Sequence, residues 1–146
     1  MKRQRGEAVK DLDLERIVVL AGKRGASYAD VRFQVLDNEV VTVDNGVLES
    51  YSSRRLSGVG IRVSMRGAAG YASTSDLSRS SVEKTLDRAV RAARATKPSK
   101  GEKEVFGKAK VNKADLKSPV KVDPVNVAPE EKVSLALDAN RAAKIG

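Results

Sequence analysis

The sequence predicts an α+β domain: an antiparallel meander of four or five strands with two helices packed on one face, then a linker and a C-terminal helix. Three observations carry this. Residues 28–36 and 58–65 alternate small or polar residues with apolar ones, the period of a strand with one buried face. Asn45-Gly46 and Arg66-Gly67 interrupt the alternating stretches as two-residue hairpin turns. After residue 80 the apolar spacing changes to that of a helix, with Val82, Leu86, Ala89, Val90 and Ala93 on one stripe.

The first helix is expected over residues 8–23, with Val9, Leu12, Ile17, Leu20 and Ala21 as its apolar side. Asp11, Asp13 and Glu15 stand toward its front, where acids suit the positive end of the helix dipole, and Gly25 follows as a stop. Strand one places Ala29, Val31, Phe33 and Val35 on one face and Asp30, Arg32 and Gln34 on the other. A turn at Asp37-Asn38, a short strand over 40–43 and a third over 47–56 are expected next. Strands near 59–65 and 69–73 complete the meander. The second helix, over 80–96, is expected to open with a capping box of Ser80 and Glu83. Residues 97–127 lose all periodicity, with short extended pieces at 108–111 and 120–122. Pro129-Glu130-Glu131 then opens a third helix with apolar Val133, Leu135, Ala136, Leu137 and Ala142.

Composition excludes much chemistry. The 146 residues contain no Cys and no His, which removes disulfides, zinc sites built from those residues, and imidazole acid–base catalysis. Aromatics are 3% with no Trp, so the core must be aliphatic and base-stacking platforms are scarce. The net charge is +9, but residues 1–5 and 97–121 hold +3 and +5 of it. The folded parts are therefore nearly balanced, and nucleic-acid contact is expected to be weak and non-specific. No apolar run reaches the length of about 20 residues that a membrane span needs, and no secretion signal is visible, so the expected location is the cytoplasm.

Candidate motifs reduce mostly to structural roles. Gly58-x-Gly60 lacks the third glycine of a dinucleotide fingerprint and lies inside a strand, where glycines let another element approach. Asp11-x-Asp13-x-Glu15 lacks the central glycine of a calcium loop. Ser73, Thr74, Ser75, Ser78, Ser80 and Ser81 have no histidine to activate them and are read as turn and cap residues. Asp44 and Glu49 flank a hairpin turn and are read as surface charge. The basic residues of the second helix, Lys84, Arg88, Arg91 and Arg94, are read as a solvated surface because Glu83 and Asp87 interleave with them.

Four segments together carry a family resemblance: Tyr28-Ala29-Asp30-Val31-Arg32, Asn45-Gly46-Val47-Leu48-Glu49-Ser50, Gly58-Val59-Gly60-Ile61-Arg62-Val63, and the run from Gly70 through Ser78. Their order and spacing resemble the N-terminal domain of TldD/PmbA proteins, zinc metallopeptidases also labelled modulators of DNA gyrase. The likeness continues from Ser118 to Lys132, and the Ala-Asp-Val-Arg and Gly-Val-Gly-Ile-Arg-Val forms are more like the TldD branch. The resemblance implies a dimer, commonly of a TldD-like with a PmbA-like subunit, that cuts unfolded or peptide substrates in an enclosed chamber. It also implies a zinc site on an H-E-x-x-x-[HD] helix, none of whose positions exists in this sequence.

The resulting expectation is a TldD/PmbA-type domain over residues 1–97, a basic proline-containing linker over 98–128, and the start of a central region over 129–146, in a truncated or split chain. No catalytic, cofactor-binding or metal-ligating residue is assigned, and zinc belongs to the full-length family. The sheet face carrying Arg32, Gln34, Gly58, Gly60 and Arg62 is expected to meet another domain, a TldD/PmbA-type subunit in a homo- or heterodimer, or a peptide substrate. The alternatives are a small basic nucleic-acid-binding protein and a regulatory partner of an intact subunit.

Overall fold

The computed structural model describes residues 12–96 and 112–143. Expectations for the basic arm at 1–5, the helix start at 8–11 and the segment 97–111 lie outside them. The described elements are helix α1 (Leu14–Lys23), strands β1 (Tyr28–Asp44), β2 (Val47–Met65) and β3 (Ala68–Thr74), helix α2 (Arg79–Ala95), a 3-10 turn at Pro124–Asn126, and helix α3 (Pro129–Ala142). The strands form one antiparallel sheet in the order β1-β2-β3. The class is α+β, as the sequence predicts.

Three long strands replace the four or five expected. Asp37 and Asn38 do not turn; they stay inside β1, and neither has the positive φ that Asn45 shows at the true hairpin. Leu56-Ser57-Gly58 likewise continues β2 without a break. Residues 35–40 and 47–50 are exposed on both faces, so the alternation that marks a strand is missing there and polar residues mimic a turn. Val35, expected in the core, is 37% exposed for the same reason. Residues 120–122 form no strand.

Two compact units divide the chain: Met1–Leu36 with Leu56–Ala109, and Asp37–Arg55 with Lys110–Gly146. The core of the first is aliphatic. Val59, Ile61, Val63 and Met65 of β2 meet Val82, Leu86, Ala89, Val90 and Ala93 of α2 and Ile17 and Ala21 of α1, with Val31, Phe33 and Ala72 packed alongside. Fully burying one such large side chain contributes about 1.5–3 kcal/mol. Both helices thus cover one face of the sheet, as expected from their stripes.

The seam between α2 and β3 is set by a glycine. Gly70 pairs with Val63 in the ladder and faces the helix; a Cβ there would fall on the Ala89 carbonyl oxygen and the Ala93 amide and stand 2.9 Å from the Ala93 Cβ. Small residues at 70, 89 and 93 therefore let backbone approach backbone.

Helix α2 begins one residue earlier than expected and uses a different cap. Ser78, not Ser80, is the N-cap: its hydroxyl accepts from the Ser81 N–H, and its own N–H donates to Asp76 at 2.9 Å. Thr74 adds a hydroxyl contact to Ser81 at 3.2 Å. Ser78 wins because Asp76 lies two residues upstream to anchor it, whereas Glu83 turns away to Arg79 and Arg16. Ser78 caps and Thr74 holds the turn before it, whereas Ser80, expected as the cap, lies within the helix and Ser73 lies in β3. Asp13 caps α1 through the Arg16 N–H, and Gly25, with φ +91°, ends it. The ion pairs Arg16–Glu83 and Arg24–Asp87, each at 2.8 Å, and an Arg94 bond to the Arg24 carbonyl tie α1 to α2.

In the second unit Asn45-Gly46 turns the hairpin with φ of 47° and 79°. The Gly46 N–H donates to the Asn140 side chain of α3 at 2.8 Å, and Lys132 pairs with Glu39. Helix α3 turns Val133, Ala136 and Leu137 partly inward, while Leu135 and Ala142, expected on its apolar side, are exposed.

Two glycines give opposite expectations. Gly70→Ala is expected to lower unfolding free energy by about 3 kcal/mol, the upper end for overpacking. Gly22→Ala, in α1 with nothing within 4 Å of its added Cβ, is expected to raise it by about 0.5–1 kcal/mol. Urea denaturation measures both.

Acid should loosen the same unit. Hydrogen bonds from Ser78 hold Asp76 below the usual carboxylate range, and Arg79, then Arg16, do the same for Glu83. Because both folded values are depressed, their contribution is complete above the ordinary carboxylate pKa and is lost as pH falls through the depressed values. Melting temperature is expected to drop on acidification below about pH 4. The Asp76→Asn, Glu83→Gln double variant should melt lower at neutral pH and show a shallower acid slope.

Candidate functional site

With both helices on one side, β-strand parity decides what the other side presents. Arg32, Gln34, Gly58, Gly60 and Arg62, the residues expected on this face, all line one open groove of about 790 Å³. Asp30, which the strand period places on the same face as Arg32 and Gln34, also lines it, and the structure adds Tyr71 and Ser73 from β3 and Arg88 from α2. Asp30, Tyr71 and Ser73 have the parity of this face and were legible by the same period-2 count. Arg88 was not, because its own helix position reads as solvated surface.

Two glycines lower the floor. Gly58 and Gly60 occupy successive open-face positions of β2, and the Tyr71 ring leans over Gly60 so closely that a Cβ there would stand 2.5 Å from the phenolic oxygen. At Gly58 a Cβ would come within 2.9 Å of the Thr74 carbonyl oxygen. Tyr71 remains 63% exposed, so its ring is both a cover for Gly60 and a wall of the groove.

The charges along the groove are arranged unequally. Arg62 donates to Asp30 at 2.7 Å and stands 6.0 Å from the centroid of the Tyr28 ring, and the carboxylate raises its already high pKa further. This pair is locally neutral. Arg88 is held by the Ser73 carbonyl at 3.0 Å and the buried Thr85 hydroxyl at 2.9 Å. Arg32 is exposed and has no ion-pair or hydrogen-bond partner among the described residues. The groove therefore carries an excess of positive charge from Arg32 and Arg88.

Other candidates do not gather into a site. Asp44 accepts from the Asn45 side chain at 3.2 Å, and Glu49 lies exposed on the opposite strand of the hairpin. Asp13 is a helix cap, Glu15 is exposed in the first turn, and Asp11 lies outside the described residues. Gly58 and Gly60 sit within a strand and not at a strand-to-helix turn, the position a nucleotide-binding glycine pair requires.

Residues 29–93, which hold the whole groove and most of the core, match the sequence model of PmbA/TldA metallopeptidase domain 1. This segment is similar to the first domain of the PmbA/TldD family. The chain is 26% identical over 127 residues to metalloprotease MJ0996 of Methanocaldococcus jannaschii, covering 87% of this chain and 28% of that protein. The fold is similar to crystal structures of two proteins described as modulators of DNA gyrase. For the one from Thermotoga maritima the TM-score is 0.66 at 22% identity, over 89% of this chain and 28% of the other. For the one from Bacteroides thetaiotaomicron it is 0.60 at 18% identity, over 90% and 30%. The chain thus spans under a third of the length of these relatives.

Zinc, the metal implied for a metallopeptidase, does not fit this PmbA/TldD-type domain. The sequence offers neither imidazole nor thiolate, and the described residues hold no group of three or more carboxylates able to take a metal. Among the described residues, no helix is long and apolar enough to cross a membrane.

Proposed function

We propose that this chain serves as the non-catalytic first domain of a TldD-branch zinc metallopeptidase that matures and degrades peptides in the cytoplasm. The match of residues 29–93 to the family's first domain carries this reading. Its open sheet face, lined by Arg32, Gln34, Arg62 and Tyr71, forms part of the wall against which peptide is enclosed. The domain works beside a TldD/PmbA-type subunit, as homo- or heterodimer, and the zinc that activates water is held by residues outside this chain. A domain without imidazole or thiolate contributes binding surface and enclosure to such a reaction, not the nucleophile.

The purified chain is expected to release no peptide from an unfolded protein substrate with added zinc beyond the level seen with a chelator, and to co-elute with a PmbA-like subunit in size-exclusion chromatography. Zinc-dependent hydrolysis by the chain alone, at a rate comparable to a full-length relative, would contradict the proposal.

A further inference from the structure

The open groove has a more specific chemistry than a general peptide surface. We infer that it selects extended peptides carrying an acidic side chain, with Arg32 as the carboxylate-binding residue; this rests on the reading that the face meets peptide.

The sheet sets the width of the groove. Neighbouring strands lie about 4.8 Å apart, so the β1 row bearing Arg32 and Gln34 and the β3 row bearing Tyr71 and Ser73 flank the β2 floor at a separation of about 10 Å. That is room for a single extended chain. The floor between the rows is lowest at Gly58, which raises no side chain into it, and at Gly60 it is covered by the Tyr71 ring.

The three arginines of the groove differ in how their charge is met. Arg62 is neutralised by Asp30, and Arg88 already donates to Ser73 and Thr85, so each is oriented by the protein itself. Arg32 projects from the same face with no such partner among the described residues. A guanidinium in this state offers its planar fork to a carboxylate, and Arg88 across the groove adds a favourable field.

The ends of the groove fix what lies beside the acid. The neutral Arg62–Asp30 pair lies toward one end, while Leu36 and Leu56, 46% and 59% exposed, line the other. Arg32 and Leu36 are four residues apart on one strand, about 13 Å. The ligand class is therefore an extended peptide with Asp or Glu and, four positions away on the same face, a large apolar residue. A nucleic-acid strand suits the groove less well, because Asp30 stands in it and its apolar end has no use for phosphate.

The test uses a fluorescein-labelled peptide with one Glu and one Leu four positions apart, its Glu→Gln counterpart, and polarisation on the 146-residue chain at physiological salt. Saturable binding of the Glu peptide, at least tenfold tighter than the Gln peptide, is expected. Arg32→Gln should erase that ratio, whereas Arg91→Gln, on the exposed side of α2, should keep it. Gly58→Val should weaken both peptides together by filling the floor. Melting curves confirm that each variant is folded. Equal affinity for the Glu and Gln peptides overturns the selectivity and leaves the peptide-wall reading standing. Absence of binding to either peptide overturns both, and tighter binding of a single-stranded oligonucleotide than of the Glu peptide overturns the choice of ligand.

Discussion

The close approach of α2 to β3 at Gly70 is the constraint on which the first unit depends. Where a sheet and a helix carry large side chains on both sides, their backbones are held apart by those side chains. Here Gly70 meets Ala89 and Ala93, and the helix backbone comes down onto the strand. That contact brings Val82, Leu86 and Val90 within reach of Val59, Ile61 and Val63 with no aromatic residue among the fully buried core side chains. A chain with 3% aromatic residues needs such an arrangement, because branched aliphatic side chains are too short to fill a wider space. Helix α1 then seats on α2 through Ile17 and Ala21, with Arg16 and Arg24 fixing its orientation by ion pairs that contribute under about 1 kcal/mol each.

Packing on one face leaves the opposite face free for function. The strand period that sends Val59, Ile61 and Val63 inward sends Gly58, Gly60 and Arg62 outward. A one-residue slip of β2 would exchange these two sets, so burying the core and building the groove are one specification. The β3 register, with Arg62 opposite Tyr71 and Gly60 opposite Ser73, places the phenol where it leans over a glycine and shapes a wall. The α2 cap serves the same edge: Thr74, Asp76 and Ser78 fix where the helix begins, and Arg88, two and a half turns on, reaches back to Ser73.

Much of this was legible in the sequence because burial leaves a period. The α2 stripe, the inward set of β2, the positive-φ turns at Asn45-Gly46 and Arg66-Gly67 and the five groove residues follow from spacing alone. Legibility ended where one partner of an interaction lies elsewhere in the chain. The strands through residues 37–40 and 56–58 looked interrupted because a ribbon exposed on both faces has no alternation to read. Ser80 with Glu83 satisfies the spacing of a capping box, yet Glu83 is drawn to Arg16, 67 residues away, which no local pattern reports. Gly70 stands in the sequence as one more strand glycine, and only the helix above it explains why a side chain is excluded there.

Native-state hydrogen exchange tests the central role of the Gly70 seam most directly. If α2 and β3 hold together through that contact, the amides of Val63, Ala72, Ala89 and Ala93 exchange only by a shared opening, with one free energy equal to that of global unfolding and one denaturant dependence. Exchange of the α2 amides through a separate, lower-energy opening while the β2–β3 ladder stays protected would show that the helix is an accessory to the sheet, and would contradict the claim.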